Sequence, residues 1–113
     1  MKVAINIALI SVLVLSLSLL YAAVSADKEK GKALYTARCV SCHSDTGAAK
    51  PAIEKMFGVT MKPLGSKEVQ SKTDAELVKN ILQPSGKMKP VKLTEAEAAD
   101  VVAYLRTLTP PKK

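Results

Sequence analysis

The pattern of apolar and polar positions divides the chain into an apolar N-terminal segment and a helical domain. An almost unbroken apolar run, Val3–Leu20, follows a short basic start. Small residues come next, and Val24 and Ala26 occupy positions where signal peptidase prefers small side chains. We therefore predict that residues 1–26 form a signal peptide cleaved after Ala26. The competing interpretation is an uncleaved membrane anchor, because about 18 apolar residues are enough to span a bilayer.

Residues 27–113 carry the signals of four helices and none of the alternation that is typical of strands. The first predicted helix covers residues 27–37 and begins with acidic side chains, which suit a helix N-terminus. Its apolar side is expected to carry Ala33, Leu34 and Ala37. The second predicted helix covers residues 51–57, with a proline in its first turn and Gly58 after its end.

The third and fourth predicted helices each begin with a capping box, Thr73–Glu76 and Thr94–Glu97. Apolar residues follow at helical spacing in both, and prolines then end them. The last helix is expected to bury Ala98, Val101, Val102, Leu105 and Leu108. These signals predict one all-α domain over residues 27–113, with an irregular loop between Gly58 and Lys72.

The composition indicates that this domain needs more than its own side chains to fill its centre. The chain has no tryptophan, one phenylalanine and three tyrosines. A domain of this size buries a limited core and commonly depends on a disulfide, a metal or an oligomer. A large, flat, apolar cofactor would fill the same role.

The segment Cys39-Val-Ser-Cys-His43 is the most informative motif in the sequence. The spacing C-x-x-C-H is the signature of covalent c-type haem attachment. Two thiols three positions apart on a helical turn can each add to one vinyl group of the porphyrin, forming two thioether bonds. The adjacent His43 is then held beneath the iron as its proximal ligand. Cys39 and Cys42 are the only cysteines of the chain, and His43 is its only histidine.

Three other interpretations of this motif are weaker. A disulfide between Cys39 and Cys42 would close a very small loop and add little stability. A thioredoxin-like redox pair expects a βαβ pattern, which the sequence lacks. Zinc prefers four ligands, and the motif supplies at most three with no further cysteine or histidine to complete the site. Haem attachment therefore remains the favoured interpretation.

A sixth ligand for the iron has to be a residue other than histidine. Methionine opposite histidine is the arrangement of electron-carrying cytochromes c, and it raises the reduction potential. We favour Met88, because Gly86 and Pro90 predict a tight loop around it. Met61, which also lies in a loop, is the competitor. Met56 shares the apolar side of a short helix and is expected to fill the core.

Taken together, these features resemble a class I c-type cytochrome of the small bacterial type. The resemblance rests on the Cys39–His43 motif, on Gly86–Met88 with Pro90 after it, and on a closing helix with Tyr104. It covers essentially all of residues 27–113. It implies a small cytochrome c fold, with about four short helices around one covalently bound haem c. It also implies that the first and last helices cross through Gly31 and Tyr35 against Val101 and Tyr104.

The resemblance further implies a partner for the proximal histidine. In the family, the carbonyl of a proline after the haem motif accepts the other ring proton of that histidine, and Pro51 is the candidate here. Such contacts fix the orientation of the ring and tune the metal. The sequence departs from the common pattern in having Lys50 before this proline, where glycine is frequent, and in lacking a tryptophan near a propionate.

With His43 and Met88 both bound, the iron has no open site for a substrate, so an electron carrier is expected and an enzyme is not. Apolar side chains are expected to exclude water and favour reduced iron, namely Leu64, Leu77, Ile81, Val101 and Leu105. The alternative function is a haem-based gas sensor or small catalytic haem protein, in which Met88 is not bound and the sixth position is open.

The formal net charge of +7 bears on the partners of the protein. Seven lysines flank the proposed haem loops, namely Lys50, Lys55, Lys62, Lys67, Lys87, Lys89 and Lys92. They favour docking to redox proteins with acidic surfaces, with general solubility as the competing explanation. Nucleic acid is not expected as a partner, because the chain is exported and lacks aromatic stacking platforms. We expect a periplasmic monomer that contacts the membrane only if residues 1–26 are retained.

Overall fold

A computed structural model describes residues 25–110, and this part of the chain folds into six helices without a strand. The helices are α1 (Lys28–Arg38), α2 (Val40–His43), α3 (Pro51–Phe57), α4 (Lys67–Gln70), α5 (Asp74–Leu82) and α6 (Glu95–Leu105). The prediction of an all-α fold is confirmed, and the four expected helices correspond to α1, α3, α5 and α6. No helix within the described range is long and apolar enough to cross a membrane. The segment interpreted as a signal peptide lies, except for Ser25 and Ala26, outside the described residues.

Side chains next to the helix ends fix where the longer helices begin. Asp27 caps α1 by accepting hydrogen bonds from the backbone N–H groups of the next turn. Both predicted capping boxes are formed, by Thr73 with Glu76 at the start of α5 and by Thr94 with Glu97 at the start of α6. Each box satisfies two backbone N–H groups that a helix leaves without partners. The start of each helix is therefore specified by its immediate sequence.

Helices α1 and α6 cross at very short range. A Cβ atom at Gly31 would overlap the carbonyl of Asp100, so only glycine allows the two backbones to come this close. One turn further along α1, the ring of Tyr35 packs against Tyr104 with centroids 5.2 Å apart. The crossing expected from the resemblance is therefore present.

The apolar side predicted for α1 was wrong. Ala33 and Ala37 are exposed and Leu34 is half-buried, whereas the buried residues of the helix are Gly31 and Tyr35. The reason is the close crossing, because α6 covers the face on which the smallest residue lies. Burial on α1 therefore follows the shape of its partner helix more than the hydropathy of its own residues.

Helix α5 packs on α6 and completes the core. The fully buried apolar residues are Tyr35, Leu77, Ile81, Ala98, Val101, Val102 and Leu105. Four of the five residues expected on the buried face of α6 are among them, while Leu108 lies beyond the helix and is half-buried. The core is thus built mainly on one long face of α6.

The segment between Gly58 and Lys72 is more ordered than the sequence indicated. It contains α4, whose N-cap Ser66 accepts a hydrogen bond from the N–H of Val69 with its side chain. Gln70 then donates to the carbonyls of Leu64 and Leu105 at 2.9 and 3.0 Å. These bonds attach the segment to the end of α6.

Arg106 attaches the same segment to α5. Its guanidinium donates to the carbonyls of Gln70 and Lys72 at 2.8 and 2.6 Å and to the carboxylate of Asp74 at 2.7 Å. A planar group with several donors suits three acceptors held in fixed directions. One side chain after α6 therefore connects α4 to the start of α5.

Candidate haem site

The motif Cys39–His43 forms a single helical turn directly after α1. Cys39 is the C-cap of α1 and the N-cap of α2, and His43 is the last residue of α2. The Tyr35 hydroxyl donates to the carbonyl of Ser44 at 2.7 Å and lies 3.3 Å from the carbonyl of His43. Burial raises the pKa of this hydroxyl well above its usual value, so it remains a proton donor. The α1–α6 crossing thus holds the motif in place through one buried side chain.

An apolar cleft opens beside this turn. The empty volume of the cleft, including the part that is open to solvent, is about 640 Å³. Its lining residues come from every part of the fold except α3: Tyr35, Cys39, His43, Leu64, Val69, Lys72, Leu77, Asn80, Ile81, Met88, Val101 and Leu105. All five apolar residues expected to exclude water are present in this lining. Cys39, His43 and Met88, which are far apart in the sequence, therefore meet around one cleft.

The electrostatic setting of His43 fits a metal ligand. Its Nδ1 atom is buried and has no hydrogen-bond partner among residues 25–110. Burial also lowers the pKa of the ring, so the imidazole is neutral and can offer a lone pair. A buried nitrogen that the polypeptide leaves unsatisfied indicates an interaction that another group has to supply.

The two cysteines are free thiols close to the same cleft. Both are half-buried, and Cys39 is part of the cleft lining while Cys42 is not. Burial raises the pKa of Cys39, and the adjacent Cys42 raises it further. The disulfide interpretation therefore has no support in the structure. Within residues 25–110, no group of three or more His, Cys, Asp or Glu side chains could hold a metal ion.

The three methionines after Ala26 lie in different environments. Met88 lines the cleft and is 38% exposed, while Met61 is half-buried and does not line the cleft. The backbone N–H of Met61 donates to Glu54 at 2.7 Å, which fixes its loop against α3. The expectation that Met56 fills the core was wrong, because this side chain is 71% exposed. Helix α3 packs closely against none of the other five described helices, which explains why its apolar side is not buried.

The hydrogen bond expected between Pro51 and His43 is not present. Pro51 begins α3 and is exposed, and Nδ1 of His43 has no hydrogen-bond partner in the part of the chain that the structure describes. The helices α2 and α3 are joined by a side chain, since Lys50 Nζ donates to the carbonyl of Ser41 at 3.0 Å. Lys50, at which the sequence departs from the family pattern, therefore makes a contact between α2 and α3.

Three lining residues were not anticipated from the sequence. Val69 lies in a segment interpreted as loop, and Lys72 and Asn80 are polar residues next to or within α5. The position of Asn80, one residue before the buried Ile81, was the available signal for a residue near the cleft. No sequence pattern marks Lys72, whose position depends on how the end of α4 meets α5.

Comparisons with known proteins agree with this geometry. A family model described as Cytochrome c matches residues 28–109. Among solved structures, the chain is similar to one named "KustC0563 c-type cytochrome", with a TM-score of 0.60 and 23% sequence identity. That match covers 71% of this chain and 98% of the other, and at this identity it shows the shared fold. The comparison with curated proteins gives no match.

The cleft, the unsatisfied histidine nitrogen and the paired thiols fit a haem. The walls are apolar, as a porphyrin requires, and the thiols have the spacing that covalent attachment needs. The family model covers most of the chain. The chain therefore belongs to the cytochrome c family, which functions in haem-based electron transfer with redox partners, and its cofactor is one haem c bound covalently through Cys39 and Cys42.

Proposed function

We propose that the protein shuttles single electrons between larger redox proteins, with His43 and Met88 as the two axial ligands of its haem iron. The observation that carries this proposal is the position of both side chains on the lining of one apolar cleft, together with Cys39. Met61, the competing ligand, is not part of that lining. The function is electron transfer without catalysis, because two protein ligands leave no iron position for a substrate.

The roles of the residues follow from this arrangement. Bound haem c supplies one-electron chemistry between the ferric and ferrous states. His43 offers a neutral imidazole, and Met88 offers a thioether that favours the ferrous state. Leu77, Ile81 and Val101 make the cleft walls apolar and exclude water, which disfavours the additional positive charge of ferric iron.

The lysines support an interaction with acidic partners. Lys87, Lys89 and Lys92 are exposed and lie on either side of Met88 in the sequence. Positive charge near the exit of the electron increases the rate of encounter with an acidic surface. We further propose that residues 27–113 act as a monomer in the periplasm after removal of residues 1–26.

The ligand assignment is tested by comparing Met88→Ala with Met61→Ala in the haem-loaded protein. We expect Met88→Ala to abolish the sulfur-to-iron absorption band of the ferric protein, to lower the reduction potential, and to allow the ferrous form to bind carbon monoxide rapidly. Met61→Ala is the matched control, since it removes an equivalent side chain from a neighbouring loop, and it should keep the band.

The opposite result would reverse the assignment. Loss of the band in Met61→Ala alone would identify Met61 as the ligand, and rapid carbon monoxide binding by the unmodified protein would favour a sensor or catalytic protein with an open sixth position. Mass spectrometry and a pyridine haemochrome spectrum of the native protein check the remaining parts. They should give one haem for each chain and a mass that lacks residues 1–26.

A further inference from the structure

Lys50 connects the helix that carries the haem-attachment motif to the helix that follows it. The residue is the N-cap of α3, and its carbonyl accepts hydrogen bonds from the N–H groups of Ile53 and Glu54, both at 3.0 Å. Its side chain reaches α2 instead, where Nζ donates to the carbonyl of Ser41 at 3.0 Å. The residue as a whole is half-buried, while the bond itself lies at the surface. Hydrogen bonds therefore fix both the backbone carbonyl and the side-chain ammonium group of Lys50.

The acceptor of this bond lies inside the haem-attachment motif. Ser41 is one of the two residues between Cys39 and Cys42, and His43 follows two positions later. A helix of four residues cannot supply donors to its own last carbonyls, so an external donor is needed there. An ammonium group makes a stronger hydrogen bond to a carbonyl than a neutral donor does. The bond thus keeps a positive charge on the helical turn that ends at His43.

No acidic side chain neutralises this charge within the part of the chain that the structure describes. The ion pairs found there are Lys62 with Glu68 and Arg106 with Asp74, and neither includes Lys50. The bond lies at the surface, so salt screens this charge in part. Oxidation of the iron adds one positive charge, and a nearby cation opposes that step by Coulomb repulsion.

We propose that Lys50 raises the reduction potential of the haem by holding its ammonium group against the carbonyl of Ser41. The inference rests on the part of the proposed function that makes His43 an iron ligand, and it does not depend on which methionine is the other ligand. Lys50 acts through charge and position and does not itself touch the iron.

The test is the midpoint potential of the haem-loaded protein with Lys50→Met, Lys50→Gln and Lys50→Arg, each measured at low and high salt. The two neutral variants should lower the ferrous-to-ferric ratio at a fixed ambient potential by about two- to tenfold, the range expected for one partly screened charge. This corresponds to about 20–60 mV, since a tenfold change is about 59 mV for one electron. Lys50→Arg keeps the charge and should stay close to the native potential.

Lys55→Met is the matched control, because Lys55 is an exposed lysine on the same helix, and no hydrogen bond or ion pair of its side chain is found in residues 25–110. It changes the net charge equally and should shift the potential much less, with a shift that disappears at high salt. An equal shift in Lys50→Met and Lys55→Met would overturn the proposal, because net charge alone would then explain both. An unchanged potential in both neutral variants would also overturn it.

The absorption spectrum separates this proposal from the proposed function. A native protein without the ferric sulfur band would refute the methionine ligand, while the potentials would still decide the role of Lys50. A normal band combined with unchanged potentials would refute the role of Lys50 alone. If both neutral variants failed to attach haem and Lys50→Arg attached it, Lys50 would serve assembly of the site, and the proposed effect on the potential would be wrong.

Discussion

The crossing of α1 with α6 and the loop that carries Met88 lie on the same small domain and are built in opposite ways. At the crossing, Gly31 contacts the backbone of Asp100 and the Tyr35 side chain is almost fully buried. In the loop, residues 85–90 are all exposed. The first region is specified by close packing, and the second by its position between two capped helices.

This difference shows how stability and redox function are divided in the domain. The crossing holds the Cys39–His43 turn through Tyr35, so it determines where the attachment point lies. The Met88 loop contributes little buried area, and its polar residues face solvent. Substitutions at the crossing should therefore change the free energy of unfolding, whereas substitutions in the loop should change electron exchange.

The largest expected effect is that of Gly31→Val. The new side chain would overlap the carbonyl of Asp100 and force the two helices apart, which should lower the free energy of unfolding by about 3 kcal/mol or more. Denaturant unfolding of the haem-loaded protein measures this loss. Ala33→Val is the control, because it places the same β-branched residue at an exposed position of α1, where the cost should be at most about 0.7 kcal/mol. Similar losses in the two variants would show that the crossing is not tightly packed.

A smaller effect is expected for Tyr35→Phe, which keeps the packing of the crossing and removes its connection to the haem-attachment turn. The carbonyl of Ser44 would lose its donor, at a cost of about 1–2 kcal/mol in the free energy of unfolding. Tyr104→Phe is the control, since the structure shows no hydrogen bond of its hydroxyl within the described residues, and it should cost less. Equal costs would mean that the hydroxyl of Tyr35 does not hold the turn.

The raised pKa of Tyr35 adds a dependence on pH to the same comparison. A folded-state pKa above the unfolded value of 10.0 means that the neutral hydroxyl stabilises the fold fully below that pH. As the pH rises above this value, the unfolded chain ionises first and this stabilisation is lost. The difference in stability between the native protein and Tyr35→Phe should therefore decrease in alkaline solution. A difference that is independent of pH would contradict the assigned burial of the hydroxyl.

Local signals in the sequence were enough to predict most of the helices. The capping boxes at Thr73 and Thr94 and the Pro51 and Gly58 pair each specify a helix end within a few residues, and α3 has the bounds expected for it. Gly58 has a φ of 64°, the left-handed conformation that glycine adopts most easily after a helix. The four-residue helix α4 was missed, because a turn this short has too few residues to show a period.

What the sequence could not predict depends on contacts between distant segments. The pattern of apolar residues assigned the apolar side of α1 to Ala33, Leu34 and Ala37, but the approach of α6 buries Gly31 and Tyr35, which only the resemblance had placed at the crossing. By contrast, the haem-attachment motif Cys39–His43 needed no such contacts, because the spacing of its residues along the sequence identifies it. The positions of Lys72 and Asn80 on the cleft, and the contact of Lys50 with Ser41, required the folded chain.

The smallest effect on stability is expected in the Met88 loop, where a double substitution of Lys87→Gln and Lys89→Gln removes two exposed charges. The free energy of unfolding should change by less than about 0.5 kcal/mol, because neither side chain is buried. The rate of electron exchange with an acidic redox protein should nevertheless fall at low salt, and the difference from the native protein should vanish at high salt. Lys28→Gln with Lys30→Gln is the control, since it makes the same change in net charge on exposed residues of α1. If both pairs slowed exchange equally, the overall charge would steer the encounter, and the loop would have no special part in docking.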